Sequence, residues 1–340
     1  MGRPVAFHGT GPPARGHFVV ERYGRRRSRR GRQRAALGSD PTNISPGPLC
    51  RSRDRSIGVR ILITNDDGVF APGIEALARG LAARFDGVHE LIVVAPLIDH
   101  SGAGAAVGSV YERESIPYEA VQIPGLEHVR TYGVDGPPAL AVILACIDGF
   151  GPRPDIIISG VNNGMNAGRS ALHSGTVGAA LTAAQFGLRG VAVSIAWATD
   201  PVPWETPVTL ACNLVPVVAA ADRGTVLNLN VPAVTLSELR GVRHGTLGRV
   251  GLIRSVRSER TVDEVHARRA PAMGGAIALT LRGGRGSDQG EEAAELDPDS
   301  DAGLVQDGWA SLTPILGVRE DDSPSGIDVL TKALGESQRG

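Results

Sequence analysis

The sequence predicts an α/β fold with a doubly wound, mostly parallel sheet. Three observations lead there. Short runs rich in Val and Ile recur without polar alternation, as in strands covered on both faces. Stretches with helical spacing separate them, as parallel crossovers require. Polar, glycine-containing turns follow several of the runs, and such sheets bind ligands beyond the carboxyl ends of their strands.

In chain order, Arg60 to Thr64 is a buried strand. Pro72 to Phe85 (PGIEALARGLAARF) places Ile74, Leu77, Ala78 and Leu81 on one face of a helix, with proline at its start. His89 to Ala95 (HELIVVA) is a second strand, closed by Pro96. Pro138 to Phe150 is a helix and Asp155 to Ser159 (DIIIS) a third strand. Thr176 to Phe186 is a helix of small residues, before the strand Gly190 to Ile195. Glu205 to Ala221 is helical despite its prolines, and Thr225 to Val231 is a further strand. Beyond Pro232 the pattern loosens: Glu291 to Asp301 reads as an acidic mobile stretch, GWASLTPIL around Trp309 as a late strand, and Asp322 to Leu334 as a terminal helix. The expected organisation is a disordered 1–58, a core over 59–235 and a C-terminal extension over 236–340.

Composition narrows the function. At 340 residues, 42% hydrophobic and 21% charged, the chain has ample capacity for a core. The net charge of -1 conceals eight arginines between Arg22 and Arg34, so the rest is acidic and offers nucleic acid no general basic field. Cys50, Cys146 and Cys212 are widely spaced and odd in number, which fits a reducing, cytoplasmic setting rather than a disulfide framework. No apolar run approaches the roughly 18 residues of a membrane span. Met1 to Gly58, rich in Gly, Pro, Arg and Ser, reads as disordered. Its twin arginines lack the apolar segment of an export signal. VRILITNDDG opens at Val59 as a compact α/β domain opens, so translation from a GUG codon there is an alternative start; an intact mass beginning at Met1 would exclude it.

Four polar clusters carry the chemistry. Asn65-Asp66-Asp67-Gly68 follows the first strand, His100-Ser101-Gly102 the second and Gly160-Val161-Asn162-Asn163-Gly164 the third; His173-Ser174-Gly175-Thr176 opens a helix. A parallel sheet brings all four to one edge. Asn-Asp-Asp-Gly alone is a good turn sequence. Two adjacent carboxylates beside a buried strand nevertheless repel each other and lose hydration, and so call for a cation. Asp66, Asp67, Ser101 and Asn162 supply carboxylate, hydroxyl and amide oxygens, a hard-oxygen set for Mg²⁺ or Mn²⁺. Ser174, Gly175 and Thr176 form a helix N-terminus, which suits a phosphate or, more plainly, an N-cap by Ser174. Cation site and anion site together point to metal-assisted phosphoryl chemistry.

Val59 to Gly68, Ala71 to Gly73, Val93 to Pro96, Ser101 to Ala103, YGVDGPPA, PDIIISGVNNGMNAG and HSGTVGAA resemble, in that order, the SurE family of stationary-phase survival proteins, with a weaker echo at DAGLVQDGWASLTPI. The resemblance implies a Rossmann-like metal-dependent phosphatase of nucleoside 5′- and 3′-monophosphates, in some members also of short polyphosphate. It implies one divalent cation per subunit on Asp66, Asp67, Ser101 and Asn162, and phosphate held by Ser174 to Thr176 with Asn166. It also implies dimers or tetramers that exchange C-terminal elements. The sequence departs from the family pattern at GAAVGS (Gly104 to Ser109) and at Leu140 and Ala141, where a polar pair is usual; these changes bear on substrate range rather than on the cation set.

Asp66, Asp67 and Asn162 are the candidate catalytic residues, and either carboxylate can act as nucleophile or base. His100 and His173 stand where they can protonate a leaving oxygen, although a lone histidine is more often structural. GGRGSDQG lacks the lysine and flanking elements of a P-loop, and no G-x-G-x-x-G follows the first strand. Trp197 and Trp204 pack a loop or line a base pocket. The competing readings are a hydrolase of another phosphate ester, and a non-catalytic nucleotide or RNA binder using the arginine arm.

Overall fold

The computed structural model describes residues 15–19, 58–249, 253–259, 276–281 and 296–318. The arginine-rich run, Gly283 to Gly290 and Asp322 to Leu334 lie outside them. The strands are β1 (Arg15–Val19), β2 (Arg60–Thr64), β3 (Glu90–Pro96), β4 (Ser115–Val121), β5 (Arg130–Val134), β6 (Ile156–Asn163), β7 (Arg189–Ile195), β8 (Val226–Val231), β9 (Val242–His244), β10 (Ile253–Glu259), β11 (Ala276–Leu281) and β12 (Ala310–Ile315). The helices are α1 (Pro72–Phe85), α2 (Pro138–Cys146), α3 (Gly175–Gln185), α4 (Glu205–Ala220) and α5 (Asp301–Gln306).

One sheet runs β1-β4-β5-β3-β2-β6-β7-β8-β12-β9. Its centre, from β5 to β8, is parallel throughout. The chain winds outward from β2 in one direction through β3 to β5, then returns through β6 to β8, so the switch point lies between β2 and β6. Ligands in open α/β sheets sit at that crevice.

Alternation along the strands divides the core into two layers. Ile61, Ile63, Ile156 and Ile158 pack with Ile74, Leu77 and Leu81 of α1 and with Val208 and Val215 of α4. On the other face Leu62, Ile92, Val94 and Ile157 meet Leu140 and Leu144 of α2 and Ala179 and Ala183 of α3. Each fully buried aliphatic side chain contributes about 1.5–3 kcal/mol, so the layers fix the strand ends to which the site is attached.

Differences from expectation have local causes. β4 and β5 escape the sequence pattern because Pro117 and Gly133 interrupt them. β4 pairs antiparallel with β5, at the margin of the parallel core, where a strand proline is tolerated. α2 stops at Cys146, short of Phe150, because Asp148 takes φ 66°. The C-terminal portion contributes to the same sheet: β12 pairs antiparallel with β8 and parallel with β9. β10 and β11 form a separate antiparallel pair. Within the segment expected to be disordered, the backbone of Arg15–Val19 pairs antiparallel with β4. No helix of the described residues is long and apolar enough to cross a membrane.

Candidate active site

β2 delivers the first cluster. Asn65 is fully buried and its Nδ2 donates to the Gly68 carbonyl at 2.9 Å, while Gly68 takes φ 106°. The turn reading of Asn-Asp-Asp-Gly is therefore correct. It is also what presents the two carboxylates, because the tight turn leaves Asp66 and Asp67 at the mouth of the crevice.

Asp66 is 3% exposed. Its carboxylate accepts from the Thr176 hydroxyl at 2.5 Å and from the Thr176 backbone N–H. Gly175 makes this approach possible: a Cβ there would stand 2.7 Å from the Asp66 Cβ. The first anion at the N-terminus of α3 is thus Asp66 itself, with the helix dipole behind it. Ser174 caps the helix, its Oγ accepting from Val177 N–H at 3.1 Å. Burial pushes the Asp66 carboxyl above its usual range, against the pull of the Thr176 bonds.

Asp67 is less buried, and its carboxyl is pushed up to about 7 by burial, then by the charges of Asp66 and Asp99. Asp99, which the sequence reading missed, is exposed on the loop after β3. Its Oδ1 accepts from the Ser101 backbone N–H at 2.7 Å and from the Ser101 hydroxyl at 2.6 Å. These bonds hold the Ser101 Oγ hydrogen and leave its lone pairs for a cation. A carboxylate two residues before the candidate serine was the available signal. The loop is tied down by His100 N–H to the Asp66 carbonyl at 2.8 Å and by Gly104 N–H to the His173 carbonyl at 2.9 Å. Both histidines therefore reach the site through backbone, with His173 exposed and His100 partly buried.

β6 runs on to Asn163, beyond the expected Ser159, and its register with β7 shifts between Ser159 and Asn162. A bulge of this kind re-aims a side chain. Gly160 permits it, with φ 136° and a virtual Cβ 2.2 Å from the Val193 carbonyl oxygen. Asn162 emerges beside the β2 turn, its Nδ2 donating to the Gly164 carbonyl at 2.6 Å, so its Oδ1 is the end left for a cation.

Asn166 stands apart from this pair of strand ends. Its Nδ2 donates to Ser194 Oγ at 2.9 Å, its N–H to Asn230 Oδ1 at 2.8 Å, and its carbonyl accepts from Asn228 and Asn230. It fastens the β6 loop to β7 and β8. Asp301 completes the fastening and corrects an expectation. Placed by composition in an acidic mobile stretch, it is fully buried and opens α5, accepting N–H bonds from Gly168, Gly248 and Ala302. The capped turn at Ser300, whose Oγ accepts from Gly303 N–H, is what holds it. Trp204 packs against the α1/α4 core layer.

The donor set suits a hard cation. No group of three or more His, Cys, Asp or Glu side chains converges as a metal cluster among the described residues. Two raised carboxylates, a hydroxyl oriented by Asp99 and an amide oxygen fixed by Gly164 form instead an oxygen-only set at the sheet's switch point.

Comparisons with known proteins agree with this architecture. Over 263 residues the chain is 32% identical to a 5′/3′-nucleotidase SurE of Cronobacter sakazakii, covering 76% of this chain and 90% of the relative. It is 32% identical to a 5′-nucleotidase SurE 1 of Thermus thermophilus, covering 76% and 91%, and 38% identical over 196 residues to a 5′-nucleotidase SurE of Xylella fastidiosa strain M12, covering 56% and 70%. The crystal structure of a SurE protein from Aquifex aeolicus shares the fold, with a TM-score of 0.60 at 24% identity over 81% of this chain and 99% of that one. The family described as Survival protein SurE matches residues 61–252, from β2 past β9 and so across both strands that meet at the crevice; the chain belongs to the SurE family.

Proposed function

We propose that the protein is a metal-dependent phosphomonoesterase that hydrolyses nucleoside 5′- and 3′-monophosphates to nucleoside and inorganic phosphate. The observation that carries this reading is the buried Asp66 beside the partly buried Asp67 at the switch point, set against the N-terminus of α3. Relatives that bear the names 5′-nucleotidase and 5′/3′-nucleotidase supply the substrate class. Asp66, Asp67, Ser101 and Asn162 would hold one Mg²⁺ or Mn²⁺ per subunit. When bound, the cation supplies Lewis-acid polarisation of a phosphate oxygen.

The chain's own groups do the rest. Thr176 orients Asp66, and Asp99 orients Ser101. Asp67, ionised when it holds the cation, is suited to act as base or as nucleophile. Ser174 and Gly175, with Thr176 already bonded to Asp66, line the helix terminus where non-bridging phosphate oxygens are stabilised. Asn166 serves the site by holding the β6 loop in place. Water adds to phosphorus, the P–O bond to the nucleoside breaks, and the proton lost by the water is returned to the leaving oxygen. A homo-oligomer fits as well: the two-stranded β10–β11 pair is marginal in isolation and gains from a partner. The spaced, reduced cysteines fit the cytoplasm.

The test is inorganic phosphate release from a panel of 5′- and 3′-nucleoside monophosphates, with Mg²⁺, Mn²⁺ or EDTA, for the wild type and Asp67→Asn. Release that needs metal and collapses in the variant is expected. Release confined to other phosphate esters, or none with metal still bound, overturns the reading.

A further inference from the structure

A second concavity lies on the same sheet edge, beyond β3 and β5. Its cavity volume is about 120 Å³, partly open to solvent, and it is lined by residues from three segments: the loop after His100, the start of β4 and the Asp135–Pro137 turn that leads to Leu140. Its floor is apolar, since Ile116 is fully buried and Leu140 only 5% exposed. Val107, Val110 and Pro137 form its walls. Its polar rim is Arg113 with Asp135, an ion pair of 2.9 Å reinforced by Arg113 Nη1 on the Asp135 carbonyl at 3.0 Å. His100 belongs both to this cleft and to the cation site, because its N–H bonds the Asp66 carbonyl.

We propose that this cleft seats the base of the nucleotide, holding the ring by its faces and meeting its polar edge only at the Arg113–Asp135 rim; the assignment rests on the nucleotidase reading above. At about 120 Å³ the cleft is smaller than a pocket for a whole small ligand, roughly 300–1,000 Å³, and suits one flat ring rather than an entire nucleotide. An apolar floor favours a flat aromatic ring over a hydrated sugar, and it leaves no buried polar group for a particular base to satisfy. Discrimination among bases is then weak, because a hydrophobic pocket separates similar ligands by only ~10–200-fold. Val107 to Ser109 and Leu140, from the two stretches where the sequence departs from the family pattern, both line this cleft.

The experiment compares adenosine 5′-monophosphate with ribose 5-phosphate, which lacks the base, under saturating Mn²⁺. The expected kcat/KM ratio is about tenfold or more in favour of the nucleotide. Ser109→Trp, which puts a bulky side chain on the exposed rim, should bring the ratio towards one mainly through KM. Leu140→Gln should do the same by making the floor polar, and circular dichroism checks that this buried site still folds. A wild-type ratio near one, or a ratio that neither variant moves, overturns the proposal. If neither ester is hydrolysed, the nucleotidase reading has failed, and calorimetry with adenosine alone decides the cleft: heat of binding that Ser109→Trp abolishes supports it, and no binding to the wild type overturns it.

Discussion

Asp66 and Asp301 are both buried carboxylates, yet their surroundings are opposite. Asp301 collects three backbone N–H groups, from Gly168 at 2.7 Å, Gly248 at 3.0 Å and Ala302 at 2.9 Å. Asp66 receives the Thr176 hydroxyl and N–H and its own backbone N–H, and has Asp67 as its chain neighbour and the charge of Asp99 nearby. The carboxylate of Asp301 is met by backbone N–H groups, while the Asp66–Asp67 pair lies among other carboxylates and is pushed towards the protonated form. A buried acid surrounded by N–H groups is a structural tie; one set among other acids is the candidate cation site.

That contrast can be broken by substitution. Asp67→Asn should lower metal-dependent phosphate release on the order of 10³-fold, the scale of losing a charged member of a catalytic unit. The same change should leave the melting temperature of the metal-free protein equal or higher, because a repulsion has gone; a marked loss of stability would make Asp67 a structural residue like Asp301. Asp301→Ala should do the reverse and destabilise the fold by about 3 kcal/mol in urea unfolding, since it strands buried N–H donors, while the folded fraction keeps its Mn²⁺ affinity. Asp99→Asn sharpens the comparison at the site's edge. Calorimetric Mn²⁺ affinity should fall about tenfold, the lower range for a group that orients a ligand, with kcat at saturating metal largely retained.

The smallest signal is a slope with pH. The folded carboxyl of Asp67 titrates near 7 and the unfolded one near 3.8, so between these values the folded state binds more protons. Stability from this group is therefore present at low pH and declines as pH rises towards 7. The metal-free melting temperature should fall more steeply from pH 5 to pH 8 in the wild type than in Asp67→Asn, and Mn²⁺ should remove the difference. Identical slopes would show that Asp67 titrates normally.

Much of this was legible in the sequence, for reasons that differ by region. Arg60–Thr64 and Pro72–Phe85 have the bounds expected of them, because apolar periodicity, the proline at the helix start and the Asn-Asp-Asp-Gly turn all agree. β4 and β5 were hidden by Pro117 and Gly133, whose local preferences the sheet margin overrides. At the site, Asp66, Asp67, Ser101 and Asn162 follow from strand ends meeting in a parallel sheet. Asp99 did not, because its role passes through Ser101. Asp301 was obscured by composition: acidic neighbours suggested solvent, whereas two of its three N–H partners, Gly168 and Gly248, come from distant backbone, about which a local window says nothing. The same holds for Asn166, whose partners lie on β7 and β8.

The tie made by Asp301 also sets a clock. Gly168 lies on the loop that runs from Asn162 to Ser174, and the carboxylate that fastens it is encoded 133 residues later. At synthesis rates of about 5–20 residues per second, that is roughly 7–27 s during which β2 and β6 are already made but the loop after β6 is unfastened. A nascent chain can therefore lay down every candidate ligand long before the crevice around them is shut, so on the ribosome the protein should become competent only when its last strand arrives.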